Sequence, residues 1–62
     1  MTHGSIYKQA TFGLMSVYRR GQWARKERLP LYFVLRETDG HILEEFRRLN
    51  SAEKWAKGHA NG

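Results

Sequence analysis

The strongest constraint on the fold of this chain is a turn. Leu31-Tyr32-Phe33-Val34-Leu35-Arg36 is rich in β-branched and aromatic residues, Thr38-Asp39-Gly40 follows, and His41-Ile42-Leu43-Glu44-Glu45-Phe46 returns. Asp-Gly between two such runs suits the positive φ angles of a tight turn, so residues 31–46 read as an antiparallel hairpin. With Asp39 and Gly40 as a two-residue loop, Phe33, Leu35, Ile42 and Phe46 share one face. Tyr32, Val34, Arg36 and Leu43 then share the other. A three-residue loop shifts the pairing by one and exchanges the faces of the second strand.

A short helix is expected next. Asn50 can cap its first turn, and Glu53 completes the capping-box spacing. Ser51 to Lys57 would form the helix, stopping at Gly58, with Lys54 and Lys57 near the negative end of its dipole. Ala52, Trp55 and Ala56 make one apolar stripe. So short a helix cannot persist alone, which makes Trp55 the expected anchor on the sheet, with Leu49 beside it. Upstream, Phe12 to Arg20 reads as a strand with Met15 and Val17 on one face and Leu14, Ser16 and Tyr18 on the other. Helical spacing at Leu14, Val17 and Tyr18 is the competing reading. Arg19-Arg20-Gly21-Gln22 reads as a turn, Ala24 to Arg28 as a basic loop, and Pro30 forces extended chain into the hairpin.

These elements predict an α+β fold over residues 6–58. A small antiparallel sheet, three-stranded, packs against one short C-terminal helix, with residues 1–5 and 59–62 as loose ends. A chain of 62 residues holds one small domain, and with no cysteine it has no disulfide to reinforce it. The longest apolar run, Leu31 to Leu35, is too short to span a membrane. The residues from Met1 to Tyr7 lack the features of a signal peptide, so a cytoplasmic location is expected.

Charge gives the first positive indication of function. Eleven Lys and Arg against six Asp and Glu leave a net charge of +5. The excess is concentrated between Tyr18 and Arg28, where Arg19, Arg20, Arg25, Lys26 and Arg28 face only Glu27. Arg36 to Phe46 is acidic through Glu37, Asp39, Glu44 and Glu45, and Arg47 to Lys57 is basic again. A basic segment of this kind suits a polyanion or an acidic protein surface. Arginine's planar fork bridges phosphate oxygens, and the neighbouring Tyr18, Trp23 and Tyr32 could stack on bases or fill the core.

Catalytic chemistry finds little support. Glu44 and Glu45 are neighbours on a strand, point to opposite faces and cannot act as an acid–base pair. His3, His41 and His59 are isolated, so neither a metal site nor a cofactor is expected. Gly13 and Gly21 form no phosphate-cradling loop. The chain therefore reads as non-enzymatic.

Tyr18-Arg19-Arg20-Gly21-Gln22-Trp23, Tyr32 to Arg36, Asp39-Gly40, Phe46, and Asn50-Ser51-Ala52-Glu53 with Trp55 together resemble a known pattern. It is that of the N-terminal arm-binding, AP2-like domain of phage-type tyrosine recombinases, over roughly residues 16–57. The resemblance implies a three-stranded sheet backed by one helix, with the sheet entering the DNA major groove. It implies DNA contacts from Arg19, Arg20 and Arg36, with Phe46, Ala52 and Trp55 packing helix on sheet. Two departures stand out: Ala24 to Pro30 is extra chain, and Glu44 and Glu45 place acid on the last strand. No recombinase catalytic domain accompanies the match.

The expected function is a small DNA-binding module. Arg19, Arg20, Arg25, Lys26 and Arg28 would neutralise phosphates, and Arg36 with Tyr32 would read or position on the groove. The alternative is an adaptor or inhibitor, of the kind phage and mobile elements encode, that docks on an acidic protein surface or a large host assembly. There the basic segment would meet carboxylates and Trp23 or Tyr32 would anchor the interface. A homodimer through a free strand edge is compatible with either.

Overall fold

The computed structural model describes residues 4–60. The fold is α+β, with four strands rather than three. Strands β1 (Ile6–Phe12), β2 (Met15–Arg20), β3 (Tyr32–Arg36) and β4 (His41–Phe46) form an antiparallel meander in the order β1-β2-β3-β4. A one-turn helix α1 (Trp23–Lys26) interrupts the β2–β3 connection, and α2 (Leu49–Ala60) packs on the sheet. No helix among the described residues is long and apolar enough to cross a membrane.

The segment read as a single strand from Phe12 breaks at Gly13-Leu14. Phe12 pairs with Met15, and Gly13 takes a φ of +61° at the first central position of the turn. That is the geometry of a type II′ hairpin, which favours glycine there. Leu14 is exposed in this turn, while Met15 and Val17 face the helix and Ser16 and Tyr18 the other side. Arg19 and Arg20 belong to β2 and not to a turn.

The hairpin of β3 and β4 forms over the expected residues but in another register. Arg36 pairs with His41 and Leu35 with Ile42, leaving Glu37 to Gly40 as a four-residue loop. Within it only Gly40 has positive φ, at +70°. Asp39 acts through its carboxylate instead: Oδ1 accepts from the Arg36 Nε–H and the His41 backbone N–H. A bulge then shifts the register between Val34 and Leu35, so that Tyr32 faces Phe46. Phe33, Leu35 and Ile42 keep a common face, but the bulge moves Phe46 to the helix side.

The core lies between the sheet and α2. Val17 and Val34 sit at its centre, fully buried against Ala52 and Ala56. Alanine at both helix positions lets the helix backbone approach the sheet, while each valine contributes roughly 1.5–3 kcal/mol by burial. Trp55 is not the central anchor. It lies half-buried at the flank, tilted on Phe46 at 6.2 Å and stacked on His59 at 3.9 Å.

The helix starts earlier and ends later than its capping signals suggest. Ala52 N–H donates to the Arg48 carbonyl, so Asn50 lies inside the first turn. Gly58 is also internal, and the His59 Nδ1–H donates to the Trp55 carbonyl at 2.8 Å. Of the ends read as loose, Met1 to His3 and Asn61-Gly62 lie outside the described residues. Ser5 is tied down, because its carbonyl accepts from both Gly21 N–H and Trp23 Nε1–H.

Candidate polyanion-binding site

Strand alternation divides the residues expected at the site. Tyr32 pairs with Arg19, Arg36 with Met15, and Val34 with Val17, which sets Arg19 and Arg36 on the helix side of the sheet. Arg20 lies on the open side. The three arginines assigned to DNA by the resemblance are therefore split between the two faces, Arg19 and Arg36 on one and Arg20 on the other. Arg36 is exposed, with Nη2 at 2.6 Å from Asp39 Oδ2. This hydrogen bond, followed by that from the His41 backbone, holds the Asp39 carboxyl down to about 2. Arg19 is half-buried, and its Nε is buried without a partner among the described residues.

Arg20 is built into the fold. It is only 7% exposed, its Nη1–H donates to the Pro30 carbonyl at 2.7 Å, and Nη2 lies 2.5 Å from Glu45 Oε2. The guanidinium also covers the Phe33 ring at 4.7 Å. This one side chain joins β2, the start of β3 and β4. The expectation of phosphate contact from Arg20 gives way to that role, since a charge so paired and buried is not free for a ligand.

The aromatic residues are also committed to structure. Tyr18 stacks on Phe33 at 5.6 Å and donates its hydroxyl to Glu37. Tyr32 is half-buried against the core. Trp23 pins the connector to the start of β1 through the Ser5 carbonyl at 2.8 Å. A Cβ at Gly21 would lie 3.0 Å from the Trp23 ring, so any larger residue there would have to press the ring away from its contact with Ser5.

Arg25, Lys26 and Arg28 have a different setting. Helix α1 is too short to persist alone, but buried Ala24 and the Trp23 anchor hold it. Its end is a Schellman turn: Leu29 N–H donates to the Ala24 carbonyl and Arg28 N–H to the Arg25 carbonyl. The residue at the left-handed position of that turn is Arg28, with a φ of 57° where glycine is usual. All three basic side chains are exposed on this pinned connector.

The antiparallel order brings a second basic segment to the same end of the sheet. Strand β2 ends, β3 begins and β4 ends there, so the β4–α2 corner with Arg47 and Arg48 lies beside the connector. Arg25, Arg28 and Arg47 line one open concavity of about 450 Å³, floored by Leu29 and Leu31. No carboxylate lines it. The ion pairs among the described residues are Lys8–Glu37, Arg20–Glu45 and Arg36–Asp39, which leaves Arg25, Lys26, Arg28, Arg47 and Arg48 unpaired.

Sequence reasoning missed Arg47 and Arg48 as partners of the connector. The available signal was topological, since a hairpin after the connector returns the chain to the connector's end of the sheet. At the other end, the Glu37 N–H donates to the Leu14 carbonyl, linking the two turns. The Glu37 carboxyl is held below the usual range by hydrogen bonds from Ser16, then Lys8 and Tyr18. The chain is thus basic at one end, with its exposed acidic turn at the other.

Among the described residues, no group of three or more His, Asp or Glu is arranged to hold a metal ion. No family model, no curated protein and no solved structure matches the chain. The likeness to recombinase arm-binding domains rests on its short motifs alone.

Proposed function

We propose that the protein is a non-enzymatic nucleic-acid-binding module that contacts phosphates through its basic end. The observation that carries this reading is the convergence of Arg25, Arg28 and Arg47 on one open concavity without a carboxylate, flanked by unpaired Lys26 and Arg48. Guanidinium forks held on a pinned connector can bridge successive phosphate oxygens at little ordering cost. The contact surface is then the end of the sheet and not its face, because Arg20 is engaged with Glu45 and the open face carries balanced charge.

Fluorescence anisotropy of labelled duplex DNA at several salt concentrations tests it. Five phosphate contacts give a log–log salt slope of about −4 to −5. The combined Arg25→Ala, Arg28→Ala and Arg47→Ala variant is expected to lose roughly two to three units of that slope. An unchanged slope sinks the assignment.

The floor of the concavity favours one second reading. Leu29 is 37% exposed there beside the arginines. An acidic peptide carrying an apolar residue would use both features, which suits an adaptor or inhibitor acting on an acidic protein surface. Stoichiometric co-purification with one protein after nuclease treatment is the outcome that favours it over DNA.

A further inference from the structure

Helix α2 crosses its face of the sheet on a diagonal. It begins at Leu49, just past the end of β4. It finishes at the opposite end, where a Cβ on Gly13 of the β1–β2 turn would lie 3.6 Å from the Ala60 Cβ. The corner of this face where β1 starts is therefore outside its cover. Strand pairing sets Tyr7 beside Arg19, Arg19 beside Tyr32 and Tyr32 beside Phe46, so one row of side chains crosses this end on the helix side. Phe46 meets Trp55, and Tyr32 packs on the core. Tyr7 is 53% exposed. Among the described residues its ring is neither stacked on another ring nor covered by a cation.

Arg19, between the two tyrosines, contrasts with its neighbour Arg20. It is half-buried, forms no ion pair, and its Nε–H is buried without an acceptor among the described residues. A buried donor left without an acceptor costs free energy, so a guanidinium in that state calls for one from outside the chain. The row contains no carboxylate. Arg48, exposed and without an ion pair, precedes α2 at the same end of the sheet.

An open aromatic ring beside an uncommitted guanidinium, at the rim of a phosphate-binding end, suits one class of occupant. A nucleobase offers a flat face to the ring and acceptors on its edge to the arginine, while the phosphates of its backbone meet the neighbouring cations. Within a duplex the faces of the bases are stacked on one another, so only an unpaired base can offer its face to a tyrosine. We propose that Tyr7 and Arg19 form a stacking subsite for an unpaired base, so that the basic end prefers a single strand to blunt duplex.

Neighbouring strands lie about 4.8 Å apart, which puts Tyr7 on β1 about 10 Å from the start of β3, where Leu31 lines the concavity. A strand held by its phosphates in the concavity reaches the subsite by passing over the end of the sheet. Blunt duplex meets the phosphate-binding groups alone. The inference rests on the nucleic-acid reading and adds to it the kind of nucleic acid.

Fluorescence anisotropy at fixed salt tests it, comparing a blunt duplex with the same duplex carrying a single-stranded thymine extension. The extension is expected to tighten binding by the wild type about tenfold, as one base stacked on an aromatic ring does. Tyr7→Ala is expected to abolish that gain while blunt-duplex affinity and its salt slope stay unchanged, a separation that loss of folding would not give. Tyr7→Phe keeps the ring and should keep the gain. Arg19→Met keeps the length of the side chain without its donors, and should weaken binding of the extended duplex several-fold but not of the blunt one. An iodouracil placed in the extension should cross-link to Tyr7 on irradiation.

Equal binding of extended and blunt duplex overturns the subsite and leaves the phosphate-binding end standing. So does a gain that survives Tyr7→Ala, or an extension that cross-links elsewhere. Failure of either DNA to bind overturns both readings.

Discussion

The arginines that end β2 and those of the connector after it share a charge and one short stretch of sequence, but their surroundings are opposite. Arg20 is buried beneath Glu45, donates to the Pro30 carbonyl and covers Phe33. Arg25, Arg28 and Arg47 are exposed around a concavity with no carboxylate on its lining. Charge density along a sequence therefore gives the sign of a surface without saying which cations belong to it. Strand alternation and chain reversal decide that, by turning one arginine into the sheet and bringing others together at its end.

The largest expected effect comes from breaking the buried member of this contrast. Arg20→Ala leaves Glu45 and the Pro30 carbonyl without their donor, and uncovers Phe33. Breaking a fully buried pair costs about 3–5 kcal/mol, and with Glu45 41% exposed on its side chain we expect about 2 kcal/mol or more. Urea unfolding measures the loss, and at temperatures where the variant stays folded the salt slope on DNA should be unchanged.

The connector arginine in the strained position should behave the other way. Arg28→Gly relieves a left-handed φ of 57° and is expected to raise stability by about 0.5–1 kcal/mol in the same urea assay. The same substitution should lower DNA affinity and reduce the salt slope by about one unit. A residue that costs stability and adds binding is what a functional cation in a glycine position predicts. Loss of stability with full binding would reverse its role.

A smaller effect belongs to Arg36, whose exposed pair with Asp39 lies between the two extremes. Asp39 has its carboxyl lowered from 3.8 to about 2 by the Arg36 hydrogen bond and then the His41 backbone. A carboxyl depressed in the folded state stabilises the fold above its unfolded value, and that contribution disappears as pH falls toward about 2. The urea midpoint should therefore drop modestly between about pH 4 and pH 2, and Asp39→Asn should flatten part of that drop. The lowered Glu37 carboxyl adds to it with the same sign.

Much of the fold was legible because its signals were local. The alternation of Tyr32 to Arg36 and His41 to Phe46 around Asp39-Gly40 located the hairpin. The spacing of Ala52 and Ala56 located the helix face. Strand β1 was less legible, since Ile6, Tyr7, Lys8 and Gln9 are all exposed and show no apolar alternation, with a further irregularity between Lys8 and Ala10. The bulge beside Leu43 was invisible for a related reason. Glu44 and Glu45 fit either face of an exposed strand, so the sequence carried no preference for the register. At the helix end, Gly58 mimicked a stop, but the stacking of His59 on Trp55 carries the helix past it.

The candidate site was half legible. Arg25, Lys26 and Arg28 stood out by charge alone, whereas Arg47 and Arg48 join them only through the return of β4 to that end of the sheet. Conversely, Arg20 looked available because arginine is seldom buried, and nothing local announced that Glu45, from the far edge strand, would cover it.

The most direct test of this account sets the two groups of cations against each other in one assay. Duplex DNA binding is measured against salt for the wild type, for Arg25→Ala/Arg28→Ala/Arg47→Ala, and for Arg19→Ala/Arg36→Ala. The account predicts that the connector-and-corner variant loses roughly two to three units of slope, while the strand variant stays within about one unit of the wild type. A slope that falls with the strand pair and survives loss of the connector set would contradict it, and would return the sheet to the groove.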